Sequence, residues 1–223
     1  MFFLSDMLNK KLHLPKPGEA LPGHARPHRT ATRHFITKRP LKEPYPDGME
    51  IALFAMGNFW SAEPLFWDLP GVWVTAAGYA GGTTPNPTYQ EVCTGLTGHA
   101  ETVRIVFDPG IVAYAELLRT FWENHDPTQG MRQGNDIGTI YRSAIYVTTE
   151  DQHRAALAGS VVYQAALKEA GLGRITTTIG PVQDFYFAEA EHQQYQARDP
   201  GRHSVLRGTG VPYPTAEAAT GPS

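Results

Sequence analysis

The stretch Met56-Gly57-Asn58-Phe59-Trp60 holds the first position whose placement bears on chemistry. An apolar run ends at Gly57 and a helix starts after Asn58. Position 58 therefore sits at a strand-to-helix junction, where unsatisfied backbone N–H groups and the helix dipole favour negative charge. A cysteine there would have a lowered pKa and would be a good nucleophile. The residue present is asparagine, whose side chain suits a helix N-cap but offers no nucleophile at neutral pH. The chain's one cysteine is Cys93. A single thiol excludes an intramolecular disulfide and a cysteine-based metal cluster, and its local reading is a small buried hydrophobe. No metal site and no bound cofactor is expected.

The elements that must carry these positions follow from pattern. Ile51 to Met56 is a short apolar run and reads as a buried strand. Phe59 to Asp68 reads as a helix ended by Leu69-Pro70-Gly71, and Val72 to Tyr79 as a strand that turns away at Gly81-Gly82. Tyr89 to Thr94 is a short helix. Glu101 to Phe107 alternates as a strand, and Ala113 to Glu123 is amphipathic, with Leu117, Leu118, Phe121 and Trp122 inward. A long loop from Asn124 to Arg142 precedes a strand at Ser143 to Val147. A helix at Glu150 to Ala170, a strand at Ile175 to Ile179 and a short helix at Phe187 to Tyr195 complete the reading. The order strand, helix, strand, strand, helix, strand predicts an α+β fold: a ferredoxin-like split β-α-β core with a mixed sheet, packed helices, and long irregular N- and C-terminal segments.

Residues 1–47 are rich in Pro, His, Lys and Arg and read as an extended arm. Residues 48–214 read as the domain, and 215–223 as a frayed tail. With 223 residues and 41% hydrophobic content the chain can bury one core. Its net charge of −3, from 19 basic and 22 acidic residues, gives no reason to expect nucleic acid or an anionic membrane. No apolar run is long enough to span a bilayer, and Met1 to Lys11 lacks a signal-like core. A cytoplasmic monomer is the expectation.

Several stretches converge on one family. They are Gly57-Asn58-Phe59-Trp60, Ala77-Gly78-Tyr79-Ala80-Gly81-Gly82, Asn86 to Cys93, Thr97-Gly98-His99-Ala100-Glu101, Asn124-His125-Asp126-Pro127, Gln133 to Ser143, and His192-Gln193-Gln194-Tyr195. Together they resemble methionine sulfoxide reductase A, from about Asp47 to Pro214. The resemblance implies reduction of the S epimer of methionine sulfoxide, free or in proteins, by a cysteine thiolate. That thiolate becomes a sulfenic acid, C-terminal cysteines resolve it to a disulfide, and thioredoxin reduces the disulfide. It further implies that Phe59 and Trp60 surround the substrate methyl group and that Glu101 is the proton donor. Tyr89 and Tyr141 are then the hydroxyls on the sulfoxide oxygen, and Asp136 helps hold the polar pocket. His192 is implied to support the site, and His99 to be a structural neighbour of Glu101.

The chain departs from the family where sulfur should be. The nucleophile position is Asn58, and the two resolving positions fall on Ser204 and Pro212. Ile140 replaces the glutamine usual before Tyr-Arg-Ser. Removal of sulfurs from an otherwise intact pocket fits either a binder that no longer turns over or an active parent whose cysteines were replaced. The expectation is a pseudoenzyme that binds methionine sulfoxide and turns it over weakly or not at all. Two alternatives stand beside it: an oxidised-methionine repair enzyme acting through Cys93, and an interaction protein with a vestigial pocket.

Overall fold

The computed structural model describes residues 12–16, 18–201 and 204–214. The start before Leu12 and the tail from 215 onward, both read from sequence, lie outside the described residues. The strands are β1 (Glu50–Met56), β2 (Val72–Ala80), β3 (Ala100–Phe107), β4 (Arg132–Gln133), β5 (Asp136–Ile137), β6 (Ser143–Val147), β7 (Thr178–Pro181) and β8 (Phe185–Phe187). The α-helices are α1 (Phe59–Ala62), α2 (Pro64–Trp67), α3 (Tyr89–Cys93), α4 (Tyr114–Asn124), α5 (Glu150–Glu169) and α6 (Tyr195–Arg198).

The main sheet runs β7-β6-β1-β3-β2-β8. Its inner four strands, β6-β1-β3-β2, pair antiparallel throughout, as the split β-α-β order requires. The parallel β6–β7 pair makes the sheet mixed. Alternation decides its faces. Ala52, Phe54 and Met56 of β1 point into the core under the helices, with Phe66, Leu117, Phe121 and Tyr163, while Leu53 and Ala55 point to the other side. The arm covers part of that second face: Leu41 packs on Val74, Ala76 and Val106. On the same side Arg104 donates to Glu43 Oε1 at 2.9 Å and to the Tyr45 hydroxyl at 2.8 Å. Covered on both faces, β3 is buried at every position.

The structure corrects three local expectations. The single helix from Phe59 to Asp68 is two short ones, because Pro64 has no N–H to continue the ladder and starts a new helix at its first position. The strand expected at Ile175 to Ile179 pairs only from Thr178. Ile175 N is taken by Gln164 Oε1 at 2.8 Å and Thr176 N by Pro127 O at 2.8 Å, which ties this stretch to α5 and the preceding loop. The helix expected at Phe187 to Tyr195 is instead the end of β8, a 3₁₀ turn at Ala190–His192 and then α6. Phe185 to Phe187 pair with Ala80 to Gly78, and the Gln193 side chain then bonds both N and O of Ala77, at 2.9 and 2.8 Å. These sheet-side bonds satisfy the chain in an extended form.

Candidate functional site

Gly57 makes the junction after β1 possible. Its φ is +99°, and an added Cβ would lie 2.6 Å from Gln133 Cβ, so a side chain is excluded by backbone conformation and by space. Asn58 follows as the N-cap of α1, its Oδ1 accepting from Ser61 N at 3.3 Å. The next amide, Phe59 N, donates to Glu101 Oε2 at 2.9 Å. Residue 58 and the carboxyl of Glu101 are thereby held on neighbouring atoms by two strands of the same sheet.

Glu101 is 1% exposed, and its Oε1 is buried with no hydrogen-bond partner. Burial pushes its pKa up to about 8; the Phe59 N–H works against the shift and the Asp136 charge adds to it. Glu101 is therefore mostly protonated at neutral pH. Burial also raises Asp136. Tyr89 and Tyr141 are both raised, by burial first and then by the Glu101 charge, so both hydroxyls keep their protons.

The aromatic side chains gather around this acid. Phe59 stacks with Tyr89 at 6.3 Å and lies 6.0 Å from Trp60 and 5.9 Å from Tyr79. Tyr79 faces Glu101 across the β2–β3 pair. His192, 8% exposed, sits 4.3 Å from the Tyr89 ring, and its Nδ1 accepts from Trp60 Nε1 at 3.3 Å. Burial lowers its pKa, which keeps the ring neutral and able to accept. Glu189 ties the walls together: its Oε2 accepts from the Tyr79 hydroxyl at 2.7 Å and its Oε1 from Tyr89 N at 2.8 Å.

A cavity of about 250 Å³ opens here, lined in part by Asn58, Trp60, Tyr89, Asp136 and Tyr141. These five residues, named from the sequence, come together in one hollow. Phe59 and Glu101 are not among its lining residues; the Phe59 ring lies 6.0 and 6.3 Å from the rings of Trp60 and Tyr89, and Glu101 is bonded to Phe59 N. The sequence reading missed Ser61, Tyr195, Gln196 and Val205, which also line it. Tyr195 stacks on Trp60 at 4.4 Å, and the only signal for it was its place in the His192-Gln193-Gln194-Tyr195 motif. Val205 reaches the site because its N–H donates to Ser61 Oγ at 3.1 Å.

The remaining positions separate. Ser204 is exposed beside the mouth, and its Oγ accepts from Leu206 N at 3.3 Å. Pro212 is exposed too, in a segment that its neighbours tie to the long helices: Val211 O accepts from the Tyr163 hydroxyl at 3.0 Å, and Tyr213 N donates to Glu123 at 2.8 Å. Cys93 is half-buried rather than a fully buried hydrophobe. Its thiol is hydrogen-bonded with Tyr89, and it lines a neighbouring cavity with Ile140 and Tyr141. Ile140 itself is 4% exposed and packs in the core. His99 Nδ1 accepts from Gly82 N at 3.0 Å, and its Nε2 bonds Thr84 O at 2.8 Å.

A sulfur-bearing ligand with one polar oxygen fits such a site: aromatic faces suit a soft methyl group, and phenol and carboxylic O–H groups suit the oxygen. Comparison with known proteins points the same way. The family model described as Peptide methionine sulfoxide reductase matches residues 50–210. The chain is 59% identical over 207 residues to peptide methionine sulfoxide reductase MsrA 1 of Caulobacter vibrioides, covering 93% of this chain and 95% of that protein. It is 56% identical over 209 residues to the MsrA 1 of Synechocystis, covering 94% of each. The solved methionine sulfoxide reductase A of Corynebacterium diphtheriae superposes with a TM-score of 0.80 at 41% identity, over 90% of this chain and 99% of that one.

Proposed function

The chain belongs to the peptide methionine sulfoxide reductase family, and from that premise we propose that it holds methionine sulfoxide, free or in oxidised proteins, above Asn58 without reducing it. The observation that carries the reading is the residue at the junction: a carboxamide at the N-cap, beside an acid and an aromatic wall that suit the sulfoxide.

Reduction by thiol chemistry moves oxygen from one sulfur to another. A thiolate at position 58 would attack the sulfoxide sulfur to form an S–S bond while Glu101 protonates the oxygen; the hydroxyl would then pass to the cysteine sulfur as that S–S bond breaks, releasing methionine and leaving a sulfenic acid. The second half of that exchange is in place. Glu101 holds a proton at neutral pH, Tyr89 and Tyr141 supply hydroxyls, Asp136 polarises the rim, and Phe59 and Trp60 form the methyl box. The first half is missing, because an amide nitrogen has no available lone pair with which to accept the oxygen. Ser204 and Pro212 form no disulfide, so thioredoxin, the family's reductant, has nothing to reduce here.

Cys93 does not take over the nucleophile's role. It lines a different cavity from Asn58, and its thiol serves the Tyr89 hydroxyl. Asn58→Cys tests the reading directly. The new thiolate would stand where Ser61 N–H now meets Oδ1, a position that favours its charge. With a methionine sulfoxide peptide and no reductant, the variant should release about one methionine per chain, and Cys93→Ala in the same background should not reduce that yield. A folded Asn58→Cys protein that released no methionine would remove the substrate pocket from this account.

A further inference from the structure

The N-terminal arm crosses α3 at a point with metal-ligand chemistry. His24 Nε2 lies 3.2 Å from Glu91 Oε1 and 3.1 Å from Glu91 Oε2. The His28 ring meets the His24 ring edge-on, with centroids 4.7 Å apart. One ligand atom from each of His24, His28 and Glu91 falls within 4.8 Å of the others.

We propose that His24, His28 and Glu91 form a divalent transition-metal site, with Zn²⁺ the ion that best fits the donors, fastening the arm to the helix that carries Tyr89. Two imidazoles and a carboxylate are a zinc donor set, with water completing the tetrahedron. At Zn–N and Zn–O distances near 2.0–2.1 Å, two ligands on one tetrahedral ion stand about 3.3 Å apart. The His24–Glu91 separation already has that value, and His28 must close by about 1.5 Å at most, within the reach of a side-chain rotation.

Three further observations favour an ion over a plain histidine–carboxylate contact. His28 Nε2 is buried with no hydrogen-bond partner, so the His24–Glu91 pair leaves the third ring unexplained while a cation would occupy it. Glu91 is preset: Thr88 N and Oγ1 donate to Oε2 at 2.9 and 3.0 Å, which fixes the carboxyl with both oxygens toward His24. A hydrogen-bonded carboxylate is oriented as metal ligands usually are. His24 is preset as well, its N–H donating to Pro85 O at 2.9 Å and its O accepting from Asn86 Nδ2 at 2.8 Å. Sequence reading expected no metal site because it counted cysteines; these ligands are brought together only by the crossing of the arm.

Zinc titration of the full chain against a chromogenic chelator tests the proposal. One high-affinity equivalent is expected. His28→Ala and Glu91→Gln should each weaken it at least tenfold, and the glutamine can still accept from Thr88 N, so the cap of α3 survives. His153→Ala, at a surface histidine on α5, should leave affinity unchanged. Zinc should also slow tryptic cleavage after the exposed Arg29 in the unaltered chain but not in Glu91→Gln. Absence of zinc binding at micromolar free ion, or equal affinity in His28→Ala and Glu91→Gln, would overturn the site.

Discussion

Glu101 holds its proton because the fold buries it. One carboxyl oxygen takes the Phe59 amide, and the other is buried without a partner among the described residues. Protonated, that second oxygen becomes a donor, which is what a sulfoxide oxygen needs. The sign of the pH dependence follows from the raised pKa of about 8. Below it the acid donates and binding is at full strength. Above it an ionised carboxylate faces the sulfoxide dipole, and affinity should fall by about tenfold per pH unit. Calorimetric titrations with a methionine sulfoxide peptide between about pH 6 and 10 should show a plateau and then that decline. Glu101→Gln, which keeps an N–H donor and cannot ionise, should flatten the profile. A pH-independent affinity in the unaltered chain would place the ligand away from Glu101. The position of this acid, and those of Trp60, Tyr89, Asp136 and Tyr141, could be read from motifs. A raised pKa is legible too, from a carboxylate at a strand start beside aromatic residues; the burial that produces it comes from β2, β3 and α1 meeting around it.

At the scale of elements, the turn between β1 and α1 is the most constrained piece of the site. Gly57→Ala would force a side chain at φ +99° against Gln133, whose amide is itself bonded to both N and O of Asp126, at 3.1 and 2.9 Å. Urea unfolding should show a loss of about 2 kcal/mol or more. A loss under about 0.5 kcal/mol would mean that the turn relaxes at no cost, as a surface site would. The strands β1, β2, β3 and β6 were legible because each is a compact apolar or alternating run. The segment from Phe185 to Tyr195 was not. Its aromatic and polar residues sit at mixed spacing, and its conformation is set by partners far along the chain: β2 for Phe185 to Phe187, Ala77 for Gln193, and Glu63 for Gln194 N at 2.9 Å. Pro64 divides the expected helix after Ala62, because it has no N–H to continue the ladder.

The whole molecule gathers its site from distant parts of the chain. Asn58 to Ser61 come from the first junction, Tyr89 from α3, Asp136 and Tyr141 from the loop before β6, His192 and Tyr195 from the last helical turns, and Val205 from the C-terminal segment. The arm closes the opposite face of the sheet and reaches α3 through His24. The resemblance names Asn58, Trp60, Tyr89, Asp136 and Tyr141, and the fold brings them to one cavity. The most direct measurement is made on the unaltered chain: calorimetric binding of a methionine S-sulfoxide peptide alongside an assay for methionine released in excess dithiothreitol. Saturable binding of one ligand per chain is expected, with methionine appearing no faster than in buffer. Catalytic release of methionine by this chain would contradict it.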